Sequence, residues 1–146
     1  MAGLNDIKSE IKQIAETILE IGLVYERLVY AKDHNQLKEL FVKNGVLNCL
    51  MFRQVKRTAS NETRSANEVL IDRTWKFVLF YGYSKENNSE QAFDTLCENL
   101  CKTFNANSDI NGTVNEHTWL DMTNKTDYSY HSVLCHRAEF EMITRG

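Results

Sequence analysis

The chain has 146 residues, of which 42% are hydrophobic, 25% charged and 10% aromatic, a composition that fits one ordinary core needing neither disulfides nor metal to fold. With 17 Lys and Arg against 20 Asp and Glu, the formal charge is −3, and no segment gathers like charge, which argues against a general nucleic-acid binder. No apolar run reaches the roughly 20 residues of a bilayer span, and the opening MAGLNDIKSEIKQ has no basic flank leading into an apolar segment, so a chain that starts in the cytoplasm is expected.

Leu4, Ile7, Ile11, Ile14, Ile18 and Leu19 recur at the spacing of one helical face, which predicts a helix over Leu4 to Ile21 with Asn5 or Asp6 capping its start and Gly22 ending it. Leu23 to Lys32 fits a helical turn or a short strand equally well. Asp33 with Gln36 resembles a capping box, and Leu37, Leu40 and Phe41 follow at helical spacing before Gly45, so a short helix is expected. Val46 to Thr58 reads as one strand, bulged or straight. Ala59 to Glu68 holds no large apolar side chain and predicts a long mobile hairpin loop.

Ile71 to Tyr83 is the most strand-like segment, with Trp75, Phe77, Leu79 and Tyr81 on one face and Lys76, Val78 and Phe80 on the other, as a central strand would have. Ser89 is expected to cap a helix whose Phe93, Leu96, Cys97, Leu100, Cys101 and Phe104 form an apolar stripe. Asn105 to Tyr130 reads mostly as loop, with a short strand at Thr118 to Met122. Ser132 to Thr144 alternates cleanly, Leu134, His136, Ala138, Phe140 and Met142 against Val133, Cys135, Arg137, Glu139 and Glu141, and predicts a final strand. The sum is a single α+β domain over residues 1–146, with an antiparallel or mixed four-stranded sheet flanked by helices.

Little in the chain promises chemistry. The six glycines are scattered, so no phosphate-cradling loop or nucleophile elbow exists. Cys97 and Cys101 share a helical face and His131 and Cys135 share a strand face, a set that could hold zinc, yet small thiols completing a core account for the same residues. Cys135 cannot use the adjacent His136, because neighbouring strand residues face opposite ways. Glu139 and Glu141 beside Arg137 look like a solvated or subunit-facing sheet surface. Arg53, Lys56, Arg57, Arg64 and Arg73 are interleaved with Glu62, Glu68 and Asp72, a pattern suited to contact with another protein or to solvation. Four Asn-x-Ser/Thr sequons occur but carry no weight in a chain expected in the cytoplasm. The long polar loops stand out, since such loops are usually functional or become ordered by partners.

The order of elements, from Leu4 to Ile21 through Val46 to Thr58, Ile71 to Tyr83, Ser89 to Phe104 and Leu134 to Thr144, resembles the tail terminator family of long-tailed bacteriophages, and the closing HRAEFEM (His136 to Met142) is similar to the way such proteins and related neck proteins end. The resemblance implies a virion structural protein, assembled in the host cytoplasm. It would form a homo-oligomeric ring, taken as a hexamer, which caps the tail tube, stops its polymerisation and offers the surface for head-tail joining. Its partners would be the tail tube protein and the neck or head connector proteins, with no membrane, no specific nucleic-acid recognition, no cofactor, no metal and no catalytic residue. Within that reading, Ala59 to Glu68, with Arg57 and Arg64 at hand, would reach axially. Trp119, Tyr128, Tyr130, Arg137, Glu139 and Glu141 would serve ring contacts. A head-completion or neck connector protein is the near alternative, and a small cytoplasmic metal- or ligand-binding domain using Cys97, Cys101, His131 and Cys135 is the distant one.

Overall fold

A computed structural model describes the backbone of residues 3–65 and 68–146 and the side chains of residues 3–59 and 69–146. The first helix, α1 (Leu4–Glu16), buries Ile7, Ile11, Ile14 and Ala15, and Asp6 accepts the orphan N–H of Gly3 at 3.0 Å from its first turn. It stops five residues short of the predicted end. The Thr17 hydroxyl donates to the Ile14 carbonyl at 2.6 Å, the backbone tightens to bonds such as Thr17 N–H to Ile14 O, and Glu20 turns left-handed at φ 68°. Leu19 is consequently exposed, whereas Ile18 still reaches the core.

Gly22 does more than end a helix. A Cβ there would stand 1.9 Å from the Asn48 carbonyl oxygen, so only glycine lets β1 (Leu23–Tyr25) come alongside β3 (Val46–Ser65) in parallel. Of the ambiguous segment Leu23 to Lys32, only Leu23–Tyr25 is strand, and the rest is neither helix nor strand. The short helix α2 (His34–Phe41) starts as expected, with Asp33 Oδ1 accepting from the Gln36 N–H at 2.8 Å. Gly45 belongs to a two-residue turn: Asn44 and Gly45, at φ 54° and 80°, fold β2 (Val42–Lys43) back onto the start of β3.

β3 and β4 (Glu68–Gly82) form one long antiparallel hairpin. The loop expected at Ala59 to Glu68 is a correction in its described part, because the ladder continues through Ala59 opposite Ile71, Thr63 opposite Val69 and Ser65 opposite Glu68, with register shifts between them. The backbone ladder there accounts for a strand in so polar a segment. Helix α3 (Ser89–Ala106) follows, capped at the left-handed Asn88 rather than at Ser89. The loop expected over Asn105 to Tyr130 also needs correcting: turns through residues 107–120 lead into β5 (Asp121–Tyr130), ten residues long. His131 and Ser132, both at positive φ, make the two-residue turn into β6 (Val133–Arg145).

The sheet runs β1-β3-β4-β6-β5, with β2 paired to the side of β3. The α+β class is as expected, but the sheet is mixed and six-stranded rather than four-stranded, since β1, β2 and most of β5 are short or polar segments that carry no strand pattern. Leu50, Phe52, Trp75, Phe77, Leu79, Ala138, Phe140 and Met142 meet α1 and α3 on one face. Cys49, Met51, Phe80, Tyr130 and Cys135 meet Leu37 and Phe41 of α2 at one end of the other. Trp75 is fully buried, and its Nε1–H donates to the Thr144 hydroxyl at 3.0 Å, tying β4 to β6.

Candidate assembly interface

Two exposed apolar side chains meet where the turns after α3 enter the edge strand. Trp119 is 57% exposed and Ile143 55%, and both line a cleft of about 320 Å³ with His117, Asp121 and Glu141 on its walls. The His117 ring stacks on Trp119 at 27°, and Ser108 Oγ lies 2.6 Å from His117 Nδ1, so the indole is held by its neighbours and still offers a face outward. An exposed, positioned tryptophan is the residue type enriched among interface anchors, and the carboxylates beside it make the rim polar and acidic. Trp119 and Glu141 thus line one cleft.

Tyr128, Arg137 and Glu139 form a second group further along β5 and β6. The Arg137 guanidinium sits over the rings of Tyr128 and Phe80, at 5.7 and 5.8 Å from their centroids, and pairs with Glu139 at 2.8 Å. This end of the open sheet face is charged and internally compensated. Tyr130 belongs elsewhere. It is buried among Phe41, Phe80 and Tyr128, and its hydroxyl accepts the Ala31 N–H at 2.9 Å, so it closes the chain's own core and has no face to give a partner.

Arg57 lies on the β3–β4 arm directly opposite Arg73. Burial and the facing Arg57 both pull the Arg73 guanidinium below its ordinary pKa, while Gln54 Oε1 accepts one of its N–H bonds at 3.0 Å. Two like charges across a ladder are unfavourable unless an anion comes between them. Arg53, Lys56 and Lys76 stand on the opposite face of the arm, with Arg53 across from Lys76 and Lys56 across from Thr74, and Asp72, the one carboxylate among the described side chains of the arm, is taken by Arg145 at 2.6 and 3.0 Å. The backbone of Arg64 lies in β3, but its side chain is outside the described residues.

Both sheet borders are open. β5 is exposed at every position but Tyr130, and its outer side has no strand partner among the described residues. β1 covers β3 only at Cys49 to Met51, leaving the outer side of β3 from Phe52 onward without one as well. The β5 border carries Asp121 and Asp127, near Glu90 and Asp94 of α3, which share Lys125 at 3.5 and 2.5 Å. The β3 border carries Arg53, Lys56 and Arg57 among the described side chains, with Arg73 and Lys76 on the adjoining strand β4.

The cysteine–histidine set does not converge. Cys97 lies with the α3 core and Cys135 with the α2 core on the opposite sheet face, and among the described residues no group of three or more His, Cys, Asp or Glu could hold a metal ion. Burial pushes the Cys49 and Cys97 thiols up to about 12 and those of Cys101 and Cys135 up to about 11, so the thiolate needed for ligation or attack is disfavoured at each.

A different constellation escaped the sequence. Ser89 Oγ lies 2.9 Å from His136 Nε2, and His136 Nδ1 lies 3.2 Å from Asp127 Oδ1. Three elements far apart in sequence supply it, and the alternation that put His136 on the apolar face of its strand was the single signal available. No protein-family model and no curated protein matches the chain.

Proposed function

We propose that the chain is a virion structural subunit of the tail terminator type, which closes into a ring, taken as a hexamer, on the end of a phage tail tube, ends tube growth and presents the surface that joins the head. The observation that supports this best is the pair of open sheet borders of opposite charge. One isolated copy would leave two hydrogen-bonding edges free, a standing liability for uncontrolled pairing. Head-to-tail contact closed by rotation uses both edges in every copy. In that contact the Arg57/Arg73 pair of one subunit meets the Asp121/Glu141 wall of the next, and Trp119 enters the junction as its apolar anchor. The tube protein and the neck or head connector proteins would be the axial partners, with assembly in the host cytoplasm.

Light scattering and electron micrographs of the same sample test the reading. Closed rings of uniform subunit number are expected, and replacing Arg57 and Arg73 together by Glu leaves the circular dichroism of the monomer unchanged while abolishing them. Rings that survive this double reversal refute the contact. A chain that stays monomeric at high concentration and neither binds nor halts a polymerising tube refutes the function.

A further inference from the structure

The Ser89–His136–Asp127 chain runs from the start of α3 through β6 to Asp127 on the β5 border, and it has an internally consistent proton order. Ser89 Oγ accepts the Ser84 N–H at 2.8 Å, which leaves its own proton for His136 Nε2 at 2.9 Å. The imidazole then carries its proton on Nδ1, facing Asp127 Oδ1 at 3.2 Å. The ring is 3% exposed, stacks on Phe93 at 18° with centroids 5.3 Å apart and meets Tyr83 at 5.5 Å, so it cannot swing away. A hydroxyl, a base within hydrogen-bond reach and a carboxylate orienting that base are the three parts of an activated serine.

Space and donors accompany them. A cavity of about 220 Å³ is lined by Ser89 together with Val46, Leu47, Gly82, Tyr83 and Ser84, with no charged side chain on its wall. Ser89 is the first residue of α3. Its N–H is taken by Ser84 O and that of Ala92 by Asn88 O, so the amides of Glu90 and Gln91 are the first-turn donors without a backbone acceptor among the described residues. Ser89 itself is only 4% exposed, which limits any reactant to one small enough to enter the cavity.

We propose that Ser89 is a nucleophile toward short, uncharged acyl esters. Its oxygen bonds to the acyl carbon as the carbon–alkoxide bond breaks. The serine proton passes to His136 Nε2 and on to the alkoxide, which leaves as the alcohol. Water then adds to the acyl-serine, gives a proton through His136 back to Ser89, and the carboxylic acid departs. Ser89 and His136 are the catalytic residues, and Asp127 is a positioning residue. The activity does not rest on the assembly reading, and because Asp127 also stands on the β5 border, acetylation at Ser89, which is away from that border, keeps the failure of one reading distinguishable from the failure of the other.

p-Nitrophenyl acetate is the probe, followed by p-nitrophenol release and by peptide mass spectrometry of the quenched protein. An acetyl group on Ser89 is expected, with release falling at least about a hundredfold in Ser89→Ala and similarly in Asp127→Asn. Asp127 has an exposed carboxylate, so Asp127→Asn preserves the fold, checked by circular dichroism, even where Ser89→Ala loosens the start of α3. A rate that is unchanged in Asp127→Asn, or acetylation confined to lysines and to the remaining histidines, overturns the proposal and leaves the three side chains as a tie between α3, β6 and β5.

Discussion

Replacing Tyr130 by phenylalanine removes one oxygen and keeps the ring that packs 5.1 Å from Phe41 and 5.9 Å from Phe80, centroid to centroid. The lost oxygen is the acceptor for the N–H of Ala31, a residue with no exposed surface. Water cannot replace it without opening the α2 core, so the substitution strands a buried donor, at a cost of about 1–3 kcal/mol. Urea unfolding followed by circular dichroism reads this directly. With a slope of about 2 kcal/mol per molar, ordinary for a small domain, the midpoint drops by roughly 0.5–1.5 M at unchanged slope. Tyr130→Ala also deletes the ring and costs roughly 3–5 kcal/mol, so the two variants separate the hydrogen bond from the packing. A Tyr130→Phe protein as stable as the parent would show that the Ala31 amide finds another acceptor and that the Tyr130 hydroxyl does not hold Ala31 against β5. The opposite expectation, Tyr130 as an exposed ring contact, predicts unchanged monomer stability and weakened assembly.

Gly22→Ala puts a methyl group 1.9 Å from a backbone oxygen and should cost at least about 1–3 kcal/mol, with faster amide exchange at Leu23 to Tyr25 as β1 leaves β3; protection equal to the parent's there would contradict the close approach. Arg145 holds the Asp72 carboxyl below its usual value of 3.8. A depressed folded pKa means that the pair's stabilisation is present above the unfolded value and is lost as pH falls through the folded one, so Asp72→Asn should flatten the acid side of a stability–pH curve between about pH 5 and 2. Because burial raises all four thiols, a thiol reagent at pH 8 should titrate partly exposed Cys101 first and leave Cys49, Cys97 and Cys135 silent until the protein unfolds; rapid modification of Cys135 would mean that the α2 core opens.

Where side-chain burial repeats along a whole element, the sequence reading and the structure agree in α3, β4 and β6, whereas α1 keeps its stripe but ends at Glu16. The apolar stripe of α3, the two-faced burial of β4 and the alternation of β6 are periodic because each buries a face, and burial is written in residue type. β5 and the far half of the β3–β4 arm are strands for another reason: their neighbours supply hydrogen bonds, and a border strand exposed on its surfaces needs no alternation, so Asp121 to Tyr130 reads as loop in isolation. Gly22 shows the same limit at one residue, since its need for a bare Cα comes from Asn48, 26 positions away. The candidate site divides likewise. The sequence offers Trp119 as a contact aromatic, Glu141 as part of a charged strand face beside Arg137, and the cations of the arm as interleaved with Glu62, Glu68 and Asp72. The burial of Tyr130 and the meeting of Ser89, His136 and Asp127 depend on how α3, β5 and β6 cross, and only the tertiary structure decides that, because contact between distant residues is a property of the packed chain and of no local pattern.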